Sequence, residues 1–314
     1  MSYIISPSPH TKFIYTVPVM MFIVLIALVP ATIAGVVIFG IKALLLVLVC
    51  VLAALLTEFL IVRLMKKELT LADGSAAVTG LLLALTLSPE VPLFAAFLGT
   101  VFAVAVGKHL FGGLGYNVFN PALVGRAFLA AAFPVHMTTW LAPFAYRAVD
   151  AVSSATPLAL MKFEHVLTPY KVLFFGNVAG CIGETSAVLI LIPALLLMWK
   201  GIINWRIPTS YLGSVVLLGG FFWLMNPANY PDPLFHLLAG GLMLGAFFMA
   251  TDLVTSPLTK KGMWIFGAGA GILVVIIRLF SGLPEGVMYS ILFMNAFVPL
   301  INRYTRPRIL GRQK

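Results

Sequence analysis

The chain has 314 residues, of which 61% are hydrophobic and 10% charged, and its mean hydropathy is +1.07, far above what a water-soluble domain carries. This excludes a soluble enzyme, a secreted disulfide scaffold and a nucleic-acid binder, and makes the lipid bilayer the chain's first partner. The net charge of +10 then reports topology, as basic loops on one membrane face, rather than contact with nucleic acid.

In chain order, apolar runs between polar, Pro or Gly punctuation predict ten spans, near residues 16–40, 41–65, 74–88, 91–108, 118–133, 184–200, 207–226, 233–252, 262–282 and 285–302. The first run begins near Thr16; it is too long for a signal-peptide core and lacks a small-residue cleavage pattern, so no cleavable signal is expected. The third and fifth runs hold about 15 residues where a crossing takes about 20, which suits half-helices, tilted pieces or segments buried in protein. The stretch 171–183 reads as a short re-entrant approach to the sixth span. With the N-terminus inside, the inside segments hold 14 of the 20 basic residues, among them Arg63, Lys66, Lys67 and Lys108. Lys42, Arg147, Lys162, Lys171 and Arg278 fall outside. The positive-inside rule therefore puts both termini in the cytoplasm and loop 134–170 outside.

The two halves echo each other. HLFGGLG, from His109, returns as RLFSGLP from Arg278, 169 residues on, and Ser88-Pro89 returns as Ser256-Pro257, 168 residues on. That shift lays spans one to five over six to ten, and an odd number of crossings per copy inverts the second. The fold expected is an all-α polytopic membrane protein of about ten transmembrane helices, arranged as two inverted five-helix repeats in the manner of urea transporters. Residues 1–133 form the first repeat, 134–170 an external loop, and 171–314 the second repeat with a basic cytoplasmic tail. The spans near 74–88 and 118–133, with their mates near 233–252 and 285–302, are expected to form the core between the halves.

Loop 134–170 is far longer than the roughly 2–8 residues of an ordinary connection. It contains DAVSSATPL, with Asp150, Ser153, Ser154, Ala155 and Thr156: a polar turn of small residues, a free hydroxyl at Thr156 and a Pro that fixes the backbone after it. Lys108, Asn117, Asn120 and Arg126 flank the short fifth span. There Asn120-Pro121 frees backbone groups, and Gly112, Gly113 and Gly115 allow close approach. A ligand pocket and a set of helix caps with a snorkelling lysine both suit this pattern. Glu184 and Asp252 are the acidic residues that this reading places deepest, each either a station on an ion path or a cap or ion-pair partner. Asp73 reads as the N-cap of the third span. Cys50 and Cys181 lack CxxC spacing and read as ordinary helix residues, and His109 and His136 are too isolated for a metal or haem. No metal site and no catalytic side chain are expected.

These residues resemble a known family of membrane subunits. Its members include the D subunit of the Rnf ion-translocating ferredoxin:NAD oxidoreductase and the B subunit of the sodium-pumping NADH:quinone reductase. The likeness lies in DGSAAVTG (73–80), GKHLFGGLGYNVFNPALVGRAF (107–128), the 150–156 motif, GCIGETS (180–186) and FFMATDLVTSP (247–257). The direct passage from SPSPH (6–10) into the first span is more like the Rnf subunit. The resemblance implies covalent FMN, esterified through its phosphate to Thr156, with Asp150, Ser153, Ser154 and Ala155 as the recognised motif; Ser154 stands where the commonest pattern has Gly. It also implies noncovalent riboflavin within the membrane part, for which Lys108, Asn117, Asn120 and Arg126 are the candidates. It implies partners too: a second covalent-FMN subunit (G), membrane subunits A and E, and iron–sulfur subunits B and C, in a bacterial cytoplasmic membrane. A passive channel for a small polar solute and a non-catalytic scaffold are the readings from other classes. A channel has no use for the hydroxyl-bearing loop at 150–157. The coupling ion, Na⁺ or H⁺, stays open.

Overall fold

The computed structural model describes residues 15–67, 70–147, 154–184, 186–227 and 229–307. Segments at membrane depth must satisfy their own backbone hydrogen bonds, and the apolar runs accordingly fold as helices. The first half contains α1 (Val17–Phe39), α2 (Ile41–Leu64), α3 (Ser75–Leu85), α4 (Leu93–Ala105) and α5 (Pro121–Ala132). The long connection carries α6 (Pro134–Thr138), α7 (Pro157–Ala159), which runs into a wider turn over Leu160–Glu164, and α8 (Tyr170–Phe175). The second half contains α9 (Ala187–Trp199), α10 (Arg206–Met225), α11 (Pro233–Leu238), α12 (Leu242–Leu244) continued by a wide turn over Gly245–Met249, α13 (Lys260–Phe280) and α14 (Val287–Tyr304). No strand occurs among the described residues.

Every expected span has helix at its place, and the chain is an all-α polytopic membrane protein. Five stretches are long and apolar enough to cross a membrane: Val17–Phe39, Ile41–Leu64, Leu93–Phe111, Arg206–Met225 and Lys260–Phe280. α3 and α5, at 11 and 12 residues, reach about 18 Å at most, short of the roughly 30 Å of a hydrocarbon core. They are buried pieces, as their length suggested.

The eighth span, expected as one helix over 233–252, is instead broken between α11 and α12. Gly240 sits there at φ +71°, and a Cβ on it would stand 2.6 Å from Leu158 Cδ1, so the break lets loop 134–170 press against the bundle. Two carbonyls freed from helical bonding at the break, those of His236 and Ala239, accept hydrogen bonds from Arg278 at 2.6 and 2.9 Å. Irregular backbone at this depth survives because a side chain replaces the missing helix bonds.

The packing of one half is repeated in the other. α2 packs on α3 and α4, and α4 on α5; α10 packs on the 245–249 turn and α13, and α13 on α14. α10 and α13 approach so closely that a Cβ on Gly267 or Gly271 would fall 1.9 Å from the hydroxyl of Ser210 or Ser214, the small-residue contact favoured between membrane helices. The halves meet through α1 on α9 and α5 on α14, each pair related by the same shift as the sequence echoes. Of the expected central segments, residues 79–89 and 244–251 have no exposed member, whereas α14 keeps one exposed face, with Tyr289, Phe293, Phe297 and Leu300.

Hydrogen bonds gather the loops into two sets. One joins Lys42 to Glu90, the Ser88 hydroxyl to the Thr139 carbonyl, the Ser154 N–H to Trp140 and Lys162 to Ser281. The other joins Lys67 to the Gly112 carbonyl, the Leu258 N–H to Asn302 and the hydroxyls of Thr259 and Thr305. These are the loops expected outside and inside, respectively.

Candidate functional site

At the end of the molecule that carries loop 134–170, a cavity of about 690 Å³ opens between the halves. α5 supplies Leu123, Arg126 and Ala130 to its wall, spaced three and four residues apart on one helix face. Asn120 starts that helix: its side-chain oxygen accepts from the N–H groups of Ala122 and Leu123 at 3.0 and 3.4 Å, with Pro121 at the first position, where no N–H is needed. Ser154, Ala155, Trp140, Phe163 and Tyr289 close the cavity from the loop and α14 sides.

Arg126 is the buried cation of this cavity. Its Nη2 donates to Glu285 at 2.6 Å, and its Nη1 donates to the Thr86 carbonyl and to Cys181 Sγ, the latter at 3.2 Å. Glu184 lines the same cavity and accepts from the Cys181 N–H at 3.3 Å. Cys181 is thus not an ordinary helix residue; it lies in the irregular approach to α9 and its thiol contacts the guanidinium. Ligand atoms of Cys181, Glu184 and Glu285 lie within 4.8 Å of one another, and the positive charge among them is Arg126. Beyond the cavity, Lys162 Nζ donates to the carbonyls of Arg278, Ser281 and Leu283, and its burial pushes the ammonium below the ordinary lysine range.

Thr156 follows Ser154 and Ala155, but its hydroxyl is not free. The residue is 3% exposed, and its Oγ1 accepts from the Ala159 N–H at 3.2 Å as the N-cap of α7. Asp150 and Ser153, expected to complete the motif, lie outside the described residues. A Ser/Thr followed by Pro is itself a helix-start signal, so the cap was legible beside the expected modification.

Lys108, Asn117, Asn120 and Arg126 do not converge on one pocket. The first three line a separate cavity of about 70 Å³ at the opposite end, together with Asp252, whereas Arg126 belongs to the large one. Lys108 does not snorkel. It is 2% exposed and pairs with Glu58, which is fully buried in α2 and also accepts from Thr70 at 2.6 Å; His109 Nε2 stands 3.1 Å from the same carboxylate. Glu58, which sequence reasoning did not single out, is the least exposed acid among the described residues. A lone carboxylate inside a 24-residue apolar helix was the signal that could have found it. Asn120 Nδ2 donates to the Met249 carbonyl at 3.2 Å, and its N–H to Asn295 Oδ1 at 3.3 Å. Asn117 donates to the Phe119 carbonyl at 3.3 Å. Asp252 accepts from the Thr255 hydroxyl at 2.9 Å, closing its own turn. Asp73 accepts from the N–H of Ser75 at 2.7 Å, but the N-cap of α3 is Gly74, so Asp73 supports the helix start from one position earlier than expected. His136 is exposed.

The family model described as NQR2, RnfD, RnfE matches residues 4–311. The chain is 45% identical to the D subunit of the proton-translocating ferredoxin:NAD(+) oxidoreductase complex of Clostridium ljungdahlii, over 99% of this chain and 96% of the relative. It is 47% identical to the D subunit of the Na(+)-translocating ferredoxin:NAD(+) oxidoreductase complex of Acetobacterium woodii, over the same shares. It is 38% identical to the D subunit of an ion-translocating oxidoreductase complex of Escherichia coli, over 99% of each chain. Two relatives of nearly equal identity are thus named for different ions.

Proposed function

The chain belongs to the NQR2, RnfD, RnfE family, and we propose on that premise that it is the flavin-bearing membrane subunit of a redox-driven ion translocase coupling electron transfer between ferredoxin and NAD to movement of Na⁺ or H⁺. It works in a bacterial cytoplasmic membrane, termini inside, with the G, A, E, B and C subunits of that complex and not alone. FMN is esterified through its phosphate to Thr156.

The observation that carries this reading is the junction of motif and cavity. Ser154 and Ala155 line a space of about 690 Å³, within the range of roughly 300–1,000 Å³ that small-molecule sites occupy. Flavin, when bound, supplies one- and two-electron chemistry. The chain's own residues do the rest. Apolar walls from α3, α5 and α14 exclude water, Trp140, Phe163 and Tyr289 offer flat faces, and Arg126, fixed by Glu285, holds a positive charge toward any negative charge on the ligand. Esterification leaves Oγ1 able to accept from the Ala159 N–H, so cap and tether are compatible. A second, noncovalent flavin at Lys108, Asn117 and Asn120 requires the 70 Å³ cavity to widen. Glu184 and Asp252, in cavities at opposite ends, are the candidate stations of an ion path. Likeness to D subunits over 99% of the chain favours this reading over the quinone-reductase B subunit and over a passive channel.

The test is flavin fluorescence of the chain after denaturing electrophoresis. A fluorescent band that disappears in Thr156→Ala supports the assignment; a band of undiminished intensity in that variant overturns it.

A further inference from the structure

A third cavity, of about 320 Å³, lies beyond the break of α11 and α12, with Leu158 of the motif loop on one wall. Its polar lining is Lys162, His165, Asn229, Tyr230, His236 and Arg278, and no carboxylate lines it. Arg278 is 4% exposed and His236 1%. Two of Arg278's nitrogens are bound to backbone carbonyls, but Nε has no partner, and neither ring nitrogen of His236 has one. Among the described residues no carboxylate lies within ion-pair distance of Arg278, and Glu285, its neighbour in sequence, is held by Arg126.

An unpaired guanidinium buried inside the bundle calls for a counter-anion. The first half solves the matching problem internally: His109, the repeat mate of Arg278, stands against Glu58. The second half provides an open cavity instead. Planar N–H donors with a neighbouring ammonium and imidazoles are the donor set that recognises phosphate.

We propose that this cavity binds a phosphate group, with Arg278 and His236 as its principal contacts and Lys162 as a fixed neighbouring charge. A phospholipid headgroup and free phosphate offer the same chemistry, and the surrounding Met161, Phe235 and Leu279 accommodate the carbons of a lipid ester.

The test uses the purified full-length chain and its Thr156→Ala variant, in which no phosphate can be esterified to that hydroxyl. Native mass spectrometry measures retention of phosphatidylglycerol and of inorganic phosphate, each added after delipidation. At least one of the two proteins is expected to hold a single equivalent of one probe, with affinity about tenfold weaker in Arg278→Gln, and partly restored in Arg278→Lys. Retention of phosphatidylglycerol alone identifies a lipid headgroup; competition by inorganic phosphate identifies a free-phosphate site; retention only in Thr156→Ala identifies the tethered phosphate as the usual occupant. Because Arg278→Gln frees two carbonyls and can unfold the break, His236→Phe is measured beside it. Retention of neither probe by either protein, or equal retention in wild type and in a folded Arg278→Gln or His236→Phe, overturns the proposal.

Discussion

Lys108 Nζ donates to both carboxylate oxygens of Glu58, at 2.8 and 2.7 Å, across 50 positions of the chain. It also donates to the Ser75 hydroxyl at 2.7 Å, so one ammonium joins α2, the start of α3 and the turn that follows α4. With both side chains out of reach of solvent, losing one partner strands the other. Lys108→Met is expected to cost about 3–5 kcal/mol, whereas the double change Glu58→Leu, Lys108→Met recovers most of that loss. Thermal unfolding of the single and double variants in detergent checks this; a double variant no more stable than Lys108→Met would show that the two charges do not depend on each other.

Thr156 carries two separable roles. Thr156→Ala removes the cap of α7 and should cost about 1 kcal/mol while abolishing flavin that resists denaturation. Thr156→Asn keeps a capping oxygen but offers no hydroxyl, so it should retain stability and lose the flavin; Thr156→Ser should keep both. Ser153→Ala and Asp150→Ala should lower modification without abolishing it. Paired fluorescence and melting measurements separate the roles, and flavin on Thr156→Asn would contradict the attachment site.

Gly240→Ala should destabilise the chain by about 1–3 kcal/mol, because it meets both a positive φ and Leu158. Adding Leu158→Ala should relieve the steric part only. If Gly240→Ala melts with the wild type, the break is not held by this contact.

Topology is open to labelling. Cys50 and Cys181 are buried, so Leu167→Cys and Arg306→Cys, both at exposed positions, report on their own loops. An impermeant thiol reagent added to intact cells should reach position 167 and not position 306. Reaction at 306 alone would invert the assignment.

Membrane class, the places of all ten helical segments, the brevity of α3 and α5 and the sorting of loops into two sets were determined by the sequence alone. Each rests on local composition or on repetition along the chain, because a bilayer imposes its length and polarity on every segment separately. The motif around Thr156 was read from its likeness to a known family, and only the cap that Thr156 gives to α7 follows from local sequence, through the Pro after it. What only the tertiary structure decided are pairings between distant segments. Arg126 parts from Lys108 because α5 turns it toward Glu285 and Cys181 at the opposite end. Lys108 is buried because Glu58, 50 residues earlier, meets it. The eighth span breaks at Gly240, where Leu158 packs beside it and Arg278 satisfies the freed carbonyls. A charge in an apolar run states that a partner must exist, but its identity depends on which helices touch, and that is a property of the packed bundle.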